Sequence, residues 1–260
     1  MTTLRIGEVA YPSLEGKVSD EEWRVRVNTA AIFRLIPMMG WDDLSMQLVS
    51  ARVGDGYLFV PNGPLFEEVT ASSLVKINIE GEVISDSPFG IVKSTWYPMK
   101  AVHEVREDAN YVIHTHDDII AAVACNSEGL LPISQSAAFA WADGLAYHAY
   151  DGVETYEEKM PGLQQSLGAT NNAALLQNHG LLTLGVEAGH AFMRHYNIWK
   201  ACRVQMMAQC ARHGELIKFS QEMLNSFKHE VSRVQEGDGT TDPWAGLLRK
   251  LIKKDPSFMN

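Results

Sequence analysis

Apolar residues recur at helical spacing through EEWRVRVNTAAIFRLIPMMG, residues 21–40. Ser19-Asp-Glu-Glu22 ahead of them has the pattern of a capping box, and Gly40 is a natural stop. The period then shortens. LSMQLVSARV and YLFVPNG are brief and rich in β-branched and aromatic residues, so they read as strands separated by a Gly54-Asp55-Gly56 turn. ASSLVKINIEGEVIS adds a strand pair around Glu80-Gly81, after a short turn of helix near Thr70 to Ser73. Thr95 to Val105 reads as helix, with Ser94 or Thr95 as N-cap and Pro98 in its first turn. Strand YVIHTH follows, then helix DDIIAAVAC capped by Asp117 or Asp118. GLLPIS, AYHAY, AALLQNHG and LLTLG supply further short strands, and a long helix from about Val186 to Arg212 closes the core. Helices interleaved with a mixed, largely antiparallel sheet predict an α/β chain folded as a three-layer α/β/α domain.

After Gln235 the composition shifts to EGDGTTDP, a linker, and then to WAGLLRKLIKK, a basic amphipathic helix. Such a terminal helix is expected to cover its own or a neighbouring subunit, with Arg249, Lys250, Lys253 and Lys254 on a solvated face. The expected organisation is an arm over 1–18, a domain over 19–235, and a linker with a terminal helix over 236–260. At 260 residues and 46% hydrophobic, the chain can bury one large core. A net charge of −10, from 32 acidic against 22 basic residues, disfavours a nucleic-acid surface. The N-terminus lacks an apolar signal core, and no run approaches the roughly 18 apolar residues of a membrane span. A cytoplasmic protein without membrane partners is the expectation. Cys125, Cys202 and Cys210 form no CxxC and read as buried free thiols.

The chemistry gathers on histidines. In a strand, residues i and i+2 share a face, so His114 and His116 present both imidazoles in one direction. The bland alternative packs one in the core and leaves the other to a loop. His179, in an Asn-His-Gly turn between two apolar runs, is a third candidate held by a rigid scaffold. Three neutral imidazoles would bind Zn²⁺, Fe²⁺, Co²⁺ or Mn²⁺ and leave a position open for substrate. A competing set, His116, Asp118 and His179, would make a two-histidine, one-carboxylate iron site, although Asp117 and Asp118 are also explained as helix caps. His103 and His148 are candidate neighbours of the site. His190, His195, His213 and His229 read as packing or surface residues.

The segments VPNGPLFEEVTASSLVKINIEGEV, VIHTHDDIIAAVA, GLLPISQSA, YHAYDG and NHGLLTLG, in that order, resemble the class II aldolase/adducin family, most closely its adducin-like bacterial branch. The resemblance runs from about residue 20 to 212. It implies a three-layer domain commonly assembled as a homo-oligomer, most often a cyclic tetramer with sites near subunit interfaces. It also implies a divalent metal, zinc first and iron or manganese as alternatives, held by His114, His116 and His179. In the aldolases of the family the metal stabilises the enediolate left by carbon–carbon cleavage. An upstream glutamate serves them as acid/base, and its position here is Thr95; Met99 stands where many relatives carry a histidine. A threonine cannot shuttle protons near neutral pH as a carboxylate does. Asp42 and Asp43, in the loop that often binds phosphate in the family, would repel one. The resemblance therefore implies a metal-dependent lyase for a small, non-phosphorylated carbonyl compound or hydroxy acid, working through an enolate by aldol cleavage or decarboxylation. Its proton relay would come from His103, Glu104, Tyr147, Tyr196 or water. The alternatives are an adducin-like association domain without catalysis and a non-haem Fe(II) oxygenase.

Overall fold

Ser19 Oγ accepts from the Glu22 amide at 3.1 Å and starts helix α1 (Asp20–Met39), and Gly40, with φ 71°, ends it. The Glu22 carboxylate accepts from Arg26 Nε and Lys76 Nζ, which ties the helix start to the sheet edge. The computed structural model describes residues 11–152, 156–211, 214–235 and 243–260. Most of the expected arm and linker, residues 1–10 and 236–242, lies outside these, as does His213.

Seven strands form one sheet: β1 (Leu48–Val53), β2 (Gly56–Phe59), β3 (Val75–Ile77), β4 (Tyr111–Thr115), β5 (Leu145–His148), β6 (Ala173–Leu176) and β7 (Gly180–Gly185). Their order is β3-β2-β1-β4-β7-β6-β5, and every pair is antiparallel except β5 with β6. The expected mixed, largely antiparallel sheet is what forms. Side chains alternate between its faces. Tyr111 and Ile113 of β4 meet α1 and α6 (Ala188–Cys210), while Val112 meets α2 (Tyr97–Val105) and α5 (Met160–Leu167). Helices α3 (Asp118–Ala124) and α4 (Gln135–Asp143) extend the first layer against Leu175 and Leu181. Helix α7 (Gln221–Gln235) lies on α4.

Helix α8 (Trp244–Lys254) covers its own chain. Trp244 Nε1 donates to Asn28 Oδ1 at 3.1 Å and its ring meets Phe192, while Leu251 is buried in the α1 cluster. The carbonyls of Phe258 and Asn260 accept from the amides of Ala71 and Ser72. No described helix is long and apolar enough to cross a membrane.

Several expectations are corrected. Ser94 and Thr95 do not cap α2. They sit inside a 3-10 turn, Lys93–Trp96, where the backbone is already helical, and Thr95 Oγ1 donates to the Val92 carbonyl at 2.7 Å. The strand pair around Glu80-Gly81 is reduced to β3 and one bridge, Ile77 to Val83. GLLPIS is not a strand. Gln205 takes the Leu131 amide and the Gly129 carbonyl, so that segment spends its backbone groups on a side chain. All three cysteines are free, but only Cys202 is buried; Cys125 and Cys210 are exposed.

Candidate metal centre

Strand β4 ends at Thr115, so His114 lies in the sheet and His116 just beyond it. His114 is 3% exposed and His116 half-buried. The third imidazole arrives through the tight connection Gln177-Asn178-His179 between β6 and β7. Asn178 takes the left-handed φ of 57° that this connection needs, a conformation asparagine tolerates. Gly180 pairs with Leu176, and a Cβ there would stand 2.2 Å from the Thr115 carbonyl oxygen and 3.3 Å from His116 Cδ2. In the Asn-His-Gly turn, Asn178 thus reverses the chain, His179 presents the imidazole and Gly180 permits the close approach of the strands.

The result is a cluster in which one ring nitrogen from each of His114, His116 and His179 lies within 4.8 Å of the others. Nε2 of His116 is 2.9 Å from Nε2 of His114 and 3.0 Å from Nε2 of His179. The outer nitrogens decide what the inner ones carry. His114 Nδ1 donates to the Leu181 carbonyl at 3.0 Å, and His116 Nδ1 donates to Asp43 Oδ2 at 3.3 Å. Both acceptors lack protons, so in each neutral ring the proton sits on Nδ1 and a lone pair faces inward from Nε2. Such lone pairs repel unless a cation lies between them. The fit to a divalent metal is good: tetrahedral nitrogens on zinc are about 3.3 Å apart, a few tenths wider than here. Burial first, then its neighbours His116 and His179, hold His114 well below the usual histidine range, which favours the neutral form that a metal would require.

Other sequence candidates fall elsewhere. Asp118 is exposed and outside the cluster, while Asp117 caps α3 by accepting from the amides of Ile119 and Ile120. His103 is buried against Tyr57 and Trp96, with Nε2 2.8 Å from Ser50 Oγ, and burial pushes it down to about 3. His148 meets Ser166. His195 is fully buried behind β4, bridging Thr115 Oγ1 at 2.8 Å and Thr183 Oγ1 at 3.2 Å, which fits its reading as a packing residue. Asp43 was legible only as a repeller of phosphate. Nothing in the sequence pattern signals its contact with a histidine 73 residues away.

Residues 27–206 match the family model described as Class II Aldolase and Adducin N-terminal domain. The chain belongs to this family. A protein of Pseudomonas aeruginosa provisionally named as a class 2 aldolase is 40% identical over 250 residues, covering 94% of this chain and 95% of that one. Mouse α-adducin is 35% identical over 195 residues, which are 73% of this chain but only 26% of the adducin. The crystal structure of an aldolase II superfamily protein from Pseudomonas syringae superposes with a TM-score of 0.89 at 34% identity, covering 96% of this chain and all of that one. An L-fuculose 1-phosphate aldolase from Glaciozyma antarctica shares the class II aldolase fold, with a TM-score of 0.77 at 21% identity over 95% and 96% of the two chains.

Proposed function

We propose that this class II aldolase family member is a divalent-metal-dependent lyase acting on a small, non-phosphorylated carbonyl compound or hydroxy acid. The observation that carries the reading is the inward convergence of three Nε2 atoms, with two outer nitrogens engaged by proton acceptors. A bound divalent cation supplies Lewis-acid polarisation of a substrate carbonyl. His114 forms the rigid floor of the cluster, fixed by burial and by the Leu181 carbonyl. His116 and His179 form its half-buried rim, where substrate enters. Asp43, beside His116, and its exposed sequence neighbour Asp42 disfavour a phosphorylated substrate by like charge.

Proton handling differs from a glutamate-based aldolase. Thr95 spends its hydroxyl on the Val92 carbonyl, His103 is buried with Ser50, and the Tyr147 hydroxyl accepts from the Leu130 amide. Glu104 accepts from Gln164 Nε2 and pairs with Lys100, which leaves Tyr196 and water as the proton carriers of this reading. The same reading expects zinc as the metal, with iron or manganese as alternatives, and a cytoplasmic homo-oligomer, most simply a tetramer. Leu44 and Met46, 70% and 65% exposed in the loop beside His116, are apolar surface that a neighbouring subunit would cover.

A second reading, an association domain without catalysis, is favoured by the 35% identity to α-adducin together with Thr95. Metal analysis of protein purified without added metal, compared with His114→Ala, separates the two. The lyase reading expects one divalent ion per chain, lost in the variant, and turnover within a panel of 2-keto-4-hydroxy acids. Metal-free protein that remains folded and cannot be loaded sinks it.

A further inference from the structure

We propose that Asp43 is a positioning residue that holds the His116 ring for metal binding, which makes the loop over residues 41–47 a working arm of the centre. This deepens the lyase reading and rests on its metal. His114 and His116 are anchored very differently. The first lies within β4 with its outer nitrogen bound to backbone, whereas the second stands one residue past the strand end and is half-buried. An imidazole there can rotate about its Cβ–Cγ bond, and every rotation moves Nε2 away from the other two ligands. Asp43 Oδ2, 3.3 Å from His116 Nδ1, is the contact that opposes that rotation.

The loop is built to hold the carboxylate in place. Trp41 is fully buried against Phe192, His195 and Trp199, and its carbonyl accepts from the Gln47 side-chain amide. The Asp43 carbonyl accepts from the Met46 amide at 2.9 Å, closing a turn in which Leu44 adopts a left-handed φ of 50°. Both feet of the loop are therefore tied to the core while Asp43 projects from its crest. A carboxylate behind a ligating imidazole fixes the ring's tautomer and orientation and raises the basicity of the nitrogen facing the metal. The Asp43 side chain is 51% exposed, so solvent screens its charge and orientation is the larger part of the effect.

The test is Zn²⁺ titration of the metal-stripped full chain against a chromogenic chelator, with thermal melting of the metal-free protein alongside. Asp43→Ala is expected to weaken Zn²⁺ binding about ten- to a hundredfold without lowering the metal-free melting temperature. Asp43→Asn keeps an acceptor without the charge and is expected to recover most of that loss. Asp42→Ala removes the same charge from the neighbouring position and is expected to leave affinity unchanged. Equal affinity for wild type and Asp43→Ala overturns the inference and leaves the metal reading standing, and so does an equal loss in Asp42→Ala. A wild-type chain that takes up no Zn²⁺, Mn²⁺ or Fe²⁺ overturns both.

Discussion

His103 and His195 show how one residue type serves opposite ends in this chain. Neither belongs to the cluster, although His195 lies directly behind it on Thr115, and burial is the leading cause that pushes each down to about 3. A histidine that titrates near 6.5 unfolded and near 3 folded takes up its proton first in the unfolded state. Its contribution to stability is therefore fully present above pH 6.5 and declines as the pH falls from 6.5 towards 3. The steepest loss is about 1.4 kcal/mol per pH unit for each such group. His103→Gln can keep a hydrogen bond to Ser50 but cannot titrate. In urea unfolding series at pH 7, 6, 5 and 4, the variant is expected to be less stable than wild type at pH 7 and to close the gap as the medium is acidified. A gap that stays constant across the series would contradict the buried, neutral assignment.

At the scale of elements, the β6–β7 connection decides the site. Gly180→Ala adds a Cβ 2.2 Å from the Thr115 carbonyl oxygen, which neither strand can absorb without separating. The expected cost is about 2 kcal/mol in chemical unfolding, with weaker Zn²⁺ binding because His179 moves with the turn. Unchanged metal affinity in a destabilised variant would mean that the ligand is placed by something other than this close approach. The same turn shows what a sequence can disclose. Asn178-His179-Gly180 was legible because each of its residue types has a local reason, and α1 was legible from its cap, its period and its stop. Ser94 and Thr95 misled because capping residues are equally at home inside a 3-10 turn. GLLPIS misled because its strand-like character is local, whereas the Gln205 side chain that claims its backbone comes from 74 residues away. Asp43 was hidden for the same reason: its partner is fixed by the fold, not by spacing.

For the molecule as a whole, the sheet is held on one face by α2 and α5 and on the other by a thicker layer that α8 completes. Trp244 is 9% exposed and packs on Phe192, so Trp244→Ala is expected to cost about 3 kcal/mol. Thermal and urea unfolding would register this loss, and a change within about 0.5 kcal/mol would show that α8 is a passive cover. Among the described residues α8 packs chiefly on α1 and the terminal 3-10 turn, so metal affinity is expected to survive the substitution. The position of α8 also bears on how the protein comes into being. Trp244 bonds to Asn28 across 216 residues, and Arg34 pairs with Asp255 across 221. During synthesis, the outer face of α1 therefore emerges well ahead of α8 and stays bare until that helix has been made. Contacts of such long range close late in folding, and apolar surface left open meanwhile is what chaperones bind and what drives aggregation. All seven strands and the three candidate histidines are made before α8, so α1 lacks that cover until translation has passed residue 254.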